Sequence, residues 1–241
     1  MALKMRAIRV KTVIQLTCFP KLFPVNCYFI EEDDGLTLID AALPGCSQSI
    51  LEAAASIGKP ITRIVLTHAH NDHIGALPEL KRRLPAAKVY ISARDARLLS
   101  GDISLDAHEQ MKPIRGGVPK SGTGFPVPDV LLADGDRVGS LLAIAAPGHT
   151  PGSMAFIDSR NHQLIAGDAF QTRGGVAVSG HMKLRFPFPA LATWDREASV
   201  TSALKLCALR PTLLAAGHGE MLAQPIDLMQ KAVDAAKKGM S

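Results

Sequence analysis

The segment Leu66-Thr67-His68-Ala69-His70-Asn71-Asp72-His73 decides how this chain is read. Four side chains able to bind a metal fall within it, spaced H-x-H-x-D-H. Burying three histidines and an aspartate without partners is strongly unfavourable, so packing alone does not account for them. The apolar run 61–66 before the segment reads as a buried strand, and residues 74–84 after it as a helix. Alternate side chains of an extended stretch point the same way, which lets His68 and His70 grip one ion. Asp72 and His73, where the chain turns into the helix, can reach a second.

Three further polar residues each end an apolar strand. His149 follows Ile144-Ala145-Ala146-Pro147-Gly148, Asp168 follows Leu164-Ile165-Ala166-Gly167, and His218 follows Leu213-Leu214-Ala215-Ala216-Gly217. A glycine just before the polar residue lets backbone approach a crowded site. A strand end holds a ligand on a rigid element.

The surrounding pattern supplies the scaffold. Strands are expected at 8–17, 26–31 and 36–40, then a helix from an N-cap at Ser47 through Ile57, ended by Gly58. A strand at 88–91 and a short helix at 93–99 follow. Residues 101–129 are rich in glycine and proline and lack periodicity, and 171–190 is a second loop-rich stretch. Strands at 141–146, 154–158, 163–166 and 212–216 and helices at 194–209 and 225–238 complete the chain. Strands first, then strands alternating with helices, predict a layered α/β arrangement with mixed sheets. The 241 residues, 47% of them hydrophobic, suit a single domain over 1–241.

Composition narrows the partners. The net charge of +5 is mild, with Lys81-Arg82-Arg83 its densest cluster. No run approaches the ~18 apolar residues of a membrane span. Met1–Val10 shows no secretory pattern, so a cytoplasmic location and no membrane partner are expected. Cys18, Cys27, Cys46 and Cys207 form no C-x-x-C pair and read as free thiols. Neither loop interleaves aromatic and basic residues as a nucleic-acid surface does, so a small-molecule substrate is expected.

The set His68, His70, Asp72, His73, His149, Asp168 and His218, in that order, resembles the metallo-β-lactamase superfamily over nearly the whole chain. The resemblance implies an αββα sandwich of two mixed β-sheets flanked by helices, with the site at one edge between the sheets. It also implies that His68, His70 and His149 hold a first metal and Asp72, His73 and His218 a second, with Asp168 bridging. Imidazole and carboxylate donors without thiolate suit zinc, with manganese or iron as alternatives. Two such ions would share a hydroxide and polarise the substrate, and Asp72 would also orient the nucleophile or pass a proton.

An Asp168 in this place resembles glyoxalase II and the lactonases more than true β-lactamases. The tyrosine that lactonases carry after the bridging aspartate is missing. Arg173, His181, Lys183 and Arg185 stand there instead, around Phe186-Pro187-Phe188-Pro189, and are the candidate substrate contacts. The expected reaction is hydrolysis of a small ester-type substrate, lactone before thioester, with 101–129 and 171–190 as substrate or lid loops. A phosphodiesterase or nuclease on the same centre, or a non-hydrolytic metal or redox scaffold, is the alternative.

Overall fold

The computed structural model describes residues 3–240. Strands β1 (Met5–Val10), β2 (Val13–Cys18), β3 (Val25–Glu32) and β4 (Gly35–Ile39) form an antiparallel meander. Helix α1 (Ser47–Ile57) leads into β5 (Ile61–Val65), α2 (Asn71–Ile74) and α3 (Leu77–Arg83) into β6 (Lys88–Ser92), and α4 (Ala93–Leu99) into β7 (Val130–Leu132). From β4 to β7 the pairing is parallel. Parallel neighbours need a crossover, and these helices lie in the three connections.

The second sheet holds β8 (Arg137–Val138), β9 (Leu141–Ala145), β10 (Met154–Asp158) and β11 (Gln163–Gly167), joined later by two further strands. Between them come a ribbon of β12 (Phe170–Gln171) and β13 (Ala177–Val178), then α5 (Phe188–Leu191) and α6 (Arg196–Ala208). After α6 the chain adds β14 (Leu213–Ala216), β15 (Leu222–Ala223) and α7 (Ile226–Lys238). The order is β15-β14-β11-β10-β9-β8, with β14 parallel to β11.

Side-chain alternation along the strands creates three apolar layers. On β3, Val25, Cys27 and Phe29 pack toward Ile50, Leu80 and Leu98 of the first helix layer, while Tyr28 and Ile30 face the other sheet. On β10 and β11, Phe156 and Ile165 meet them between the sheets, while Ala155 and Leu164 back onto Leu206 and Val233 of α6 and α7. The result is the αββα sandwich that the resemblance implies. None of the described helices is long and apolar enough to cross a membrane.

Several boundaries differ from the sequence expectation. The strand expected over 8–17 is the hairpin β1–β2, turned at Lys11 with φ 53°. Ser47 is the first helical residue and Cys46 takes the cap position without a side-chain bond, while Gly58 closes the helix in the left-handed conformation as expected. The helix expected over 74–84 starts earlier and divides into α2 and α3, with Pro78 in the first turn of α3. Strands β7, β8 and β15 are too short to show a period.

The topology brings the chemistry to one edge. Within each sheet the strands that end in polar residues run the same way: β4 with β5, and β9 with β11 and β14. Two inter-sheet bonds stitch those ends together, Asn26 N–H to the Gly217 carbonyl at 2.9 Å and Met154 N–H to the Thr67 carbonyl at 2.8 Å. The buried Tyr28 hydroxyl adds a third by donating to the Ala216 carbonyl at 2.6 Å.

Candidate metal centre

Seven side chains converge where β5, β9, β11 and β14 end. Their donor atoms form three overlapping groups, His68–His70–His149, His68–His73–Asp168 and Asp72–His73–His218, each with all atoms within 4.8 Å of one another. Six are buried, and Asp72 is about one quarter exposed. Asp168 links the groups: Oδ1 lies 3.5 Å from His73 Nε2, and Oδ2 lies 3.3 Å from His149 Nε2 and 3.2 Å from His218 Nε2. Gly217 makes this possible, because a Cβ there would collide with Asp168 Oδ1 and the His73 ring.

The outer partners of the five imidazoles fix which nitrogen faces inward. His70 Nε2–H donates to the Arg115 carbonyl at 2.8 Å, His218 Nδ1–H to the Pro24 carbonyl at 2.7 Å, and His73 Nδ1–H to the Asp40 carboxylate at 2.8 Å. Thr67 gives its hydroxyl proton to Asp40, so it accepts from His68 Nδ1–H at 2.9 Å. Ser179 and Thr193 donate to the carbonyls of Asp168 and Pro189, so both accept from His149 Nδ1–H, at 3.2 and 3.3 Å. When neutral, as metal binding requires, each ring therefore presents a lone pair to the centre, a tautomer set by its outer bond.

That geometry calls for cations. His70 Nδ1 and His149 Nε2 point lone pairs at each other across 2.9 Å. His68 Nε2, His73 Nε2 and Asp168 Oδ1 are buried without a hydrogen-bond partner among the described residues. Each such orphan costs about 1–3 kcal/mol unless something pairs with it. Divalent metal ions held by these donors would satisfy all of them, and the residues present fit such ions.

Without metal, burial and the charged neighbours set each group's proton affinity, and they do so differently from ring to ring. Burial and the neighbouring imidazoles hold His68 well below the usual histidine range, and burial takes His149 down to about 3. Burial pulls on His73 too, but Asp168, Asp40 and Asp72 outweigh it and raise it to about 10. Burial alone would raise the Asp168 carboxyl, yet His218 and His73 hold it well below the carboxylate range.

The family model for the metallo-β-lactamase superfamily matches residues 20–218, a span that contains all seven of these side chains. The chain belongs to the metallo-β-lactamase superfamily. It is 54% identical over 235 residues to YobT of Bacillus subtilis (strain 168), covering 98% of this chain and 100% of YobT. It is 33% identical over 219 residues to YflN of the same organism, named a probable metallo-hydrolase, covering 80% of each. Among solved structures, TTHA1623 in a di-iron-bound form is similar with a TM-score of 0.63 and 29% identity, over 85% of this chain and 92% of that one. Membership and these relatives make the protein a metal-dependent hydrolase of the superfamily.

The metallo-β-lactamase centre opens into a cavity of about 460 Å³. Phe23, Leu43, Pro44, Phe188, Pro189, Leu191 and Ala192 wall it, with Gly116 and Gly117 at one side and Asp72, His70, His149, Asp168 and His218 at the floor. The loop 101–129 reaches the site through the Arg115 carbonyl on His70 and the Gly117 carbonyl on Asn71 N–H at 2.7 Å.

The seven predicted metal ligands all converge. The four residues predicted as substrate contacts, Arg173, His181, Lys183 and Arg185, do not line this cavity. Arg173 directs its guanidinium to the Lys21 carbonyl, and His181 borders a separate cavity beside α6 and α7. Lys183 and Arg185 lie in the same loop outside the cavity lining. Sequence reasoning missed Asp40, Thr67 and Asp95, which hold the ligands in place. Asp40 directly follows β4, as the candidate ligands follow their strands, and that position is the signal that could have found it.

Proposed function

We propose that this protein hydrolyses small, uncharged ester-type substrates with an apolar acyl part, lactones first and thioesters next, using two zinc ions. The observation that carries this reading is the cavity over the centre, which is apolar on its walls and, among the described residues, has no lysine or arginine in its lining. A phosphodiester would bring its charge into that space without a cation from the protein to meet it. The imidazole-rich donor set supports zinc, and iron is the competing metal because TTHA1623 was solved with two irons.

His68, His70 and His149 would hold one ion, Asp72, His73 and His218 the other, and Asp168 both. When bound, the pair supplies an acidified water and a Lewis acid for the carbonyl oxygen. Asp72 lines the cavity with its Oδ2 3.5 Å from His218 Nε2, where it can orient the incoming water and return its proton to the leaving oxygen or sulfur. Phe23, Leu43 and Leu191 receive the acyl chain and keep bulk water from the reacting carbonyl. The loops 101–129 and 171–190 each contribute to the wall and act as the substrate loops.

The test measures hydrolysis of hexanoyl homoserine lactone, hexanoyl N-acetylcysteamine thioester and bis(p-nitrophenyl) phosphate by zinc-loaded protein, with Asp168→Ala as control. Turnover of the first two that vanishes in the variant supports the reading. Preference for the phosphate diester overturns it.

A further inference from the structure

Lys183 and Arg185, which do not line the cavity, belong to a different surface. Residues 19–23, Phe-Pro-Lys-Leu-Phe, and residues 182–191, Met-Lys-Leu-Arg-Phe-Pro-Phe-Pro-Ala-Leu, come from opposite halves of the chain. They abut at the cavity mouth: Phe23 packs on Phe186 at 5.2 Å and on Phe188 at 4.9 Å, and the Arg173 guanidinium bonds the Lys21 carbonyl. Around this seam the apolar side chains point outward. Leu184 is 93% exposed, Leu22 83%, Leu191 55% and Phe188 49%. Large aliphatic side chains gathered this way at a ligand entrance mark a surface that meets something apolar.

Charge decides what that is. No aspartate or glutamate occurs from Lys11 to Ile30 or from Ala169 to Trp194, so both segments carry only positive side chains. Lys21, Lys183 and Arg185 make no ion pair among the described residues, whereas Arg6, Arg9, Arg63, Arg94 and Arg97 all do. Exposed leucine set beside unpaired lysine and arginine, as in Lys21-Leu22 and Lys183-Leu184-Arg185, is the pattern that inserts into the headgroup boundary of an anionic bilayer. A second copy meeting this patch through a twofold axis would set like charge against like charge.

We propose that the rim formed by residues 19–23 and 182–191 docks the protein peripherally on anionic lipid surfaces, with the cavity mouth facing the bilayer. Missing membrane spans do not bear on such docking, because the side chains enter only the interfacial region. The arrangement places an apolar, metal-floored cavity where amphiphilic acyl compounds partition. The inference stands on the surface alone and does not depend on the choice of ester.

The test is co-sedimentation of the metal-loaded protein with vesicles of phosphatidylcholine alone and of equal phosphatidylcholine and phosphatidylglycerol, at low and high sodium chloride. Wild type is expected to pellet with the anionic vesicles at low salt, at least ten-fold more than with the neutral ones, and to be released by high salt. Leu22→Glu/Leu184→Glu, two exposed positions whose change leaves the core intact, should lose that binding at an unchanged Tm. Leu228→Glu, an exposed leucine on α7, should retain it. Equal pelleting with both lipids, or vesicle binding by the double variant at the wild-type level, overturns the proposal. A wild-type dimer that the double variant dissolves, without vesicle binding, overturns it in favour of self-association.

Discussion

The His73 imidazole donates from Nδ1 to the Asp40 carboxylate at 2.8 Å, joining a proposed metal ligand to the residue that follows β4. The same carboxylate accepts from Thr67 N–H at 2.8 Å and from the Thr67 hydroxyl that orients His68. Asp40 thus sets two ligand tautomers, one on each side of the centre. It does so with φ 60°, a left-handed conformation that turns the chain out of the strand toward His73.

Asp40→Ala should therefore weaken metal binding without removing any ligand. Outer-sphere carboxylates of this kind are worth about 10–100-fold in metal affinity. Metal analysis after dialysis is expected to fall below two equivalents, and competition with a chelator should read the loss. An unchanged chelator curve would remove Asp40 from the account of the centre.

Asp168→Ala should be far more damaging than His181→Ala. Asp168 approaches His73, His149 and His218 within 3.5 Å, whereas His181 sits beside another cavity. The expected outcome is at least a ~100-fold fall in kcat for Asp168→Ala, consistent with losing a group that holds both ions. His181→Ala should stay within a few-fold of wild type. Comparable rates for wild type and the Asp168 variant would sink the two-metal mechanism.

The ligands were legible because they are dense in one segment and repeat one strand-end grammar in the others. The scaffold was legible because strands with apolar faces and helices with apolar stripes differ in period. Asp40 escaped because its partner lies 33 residues away and only the pairing of β4 with β5 brings them together. The role of Arg173 escaped for a related reason. Its guanidinium direction is set by the Lys21 carbonyl, 152 residues away, and no local pattern reports that contact. Loop side chains are placed by tertiary contacts, and their chemistry in the sequence named the surface without saying which way it faced.

Asp95 offers a prediction in pH. It is buried, and its carboxyl accepts from Gly152 N–H at 2.8 Å, Ala69 N–H at 3.0 Å and the Thr150 hydroxyl at 2.7 Å, tying the His68–His70 segment to the turn after His149. Burial pushes the group up to about 6 from 3.8 despite those three bonds. A raised acid binds its proton more tightly when folded, so the stability it adds is full below about pH 4 and lost as pH rises through about 6. The loss amounts to about 3 kcal/mol. Asp95→Asn cannot titrate, so its stability deficit against wild type should shrink from pH 4.5 to pH 7.5 when both are measured with chelator present. A deficit that grows toward neutral pH would mean that the hydrogen bonds, not burial, control this carboxyl.

Two glycines of the loop 101–129 separate backbone strain from damage to the centre. Gly116 and Gly122 have nearly the same φ, 82° and 79°, so alanine at either carries a similar left-handed penalty of about 1 kcal/mol. Their surroundings differ. A Cβ at Gly116 would lie 2.5 Å from His70 Nε2 and 2.7 Å from Cε1, while one at Gly122 meets nothing within 4 Å. To accommodate Gly116→Ala the His70 ring must leave the Arg115 carbonyl and carry Nδ1 away from its 2.9 Å approach to His149. Gly116→Ala should then lose metal from the His68–His70–His149 group and fall at least ~10-fold in activity, as a displaced ligand shell predicts. Gly122→Ala should lower Tm by a similar strain but keep two metals and wild-type rates. If the two variants retain metal equally, the loop can yield around Gly116 and the Arg115 carbonyl does not fix His70.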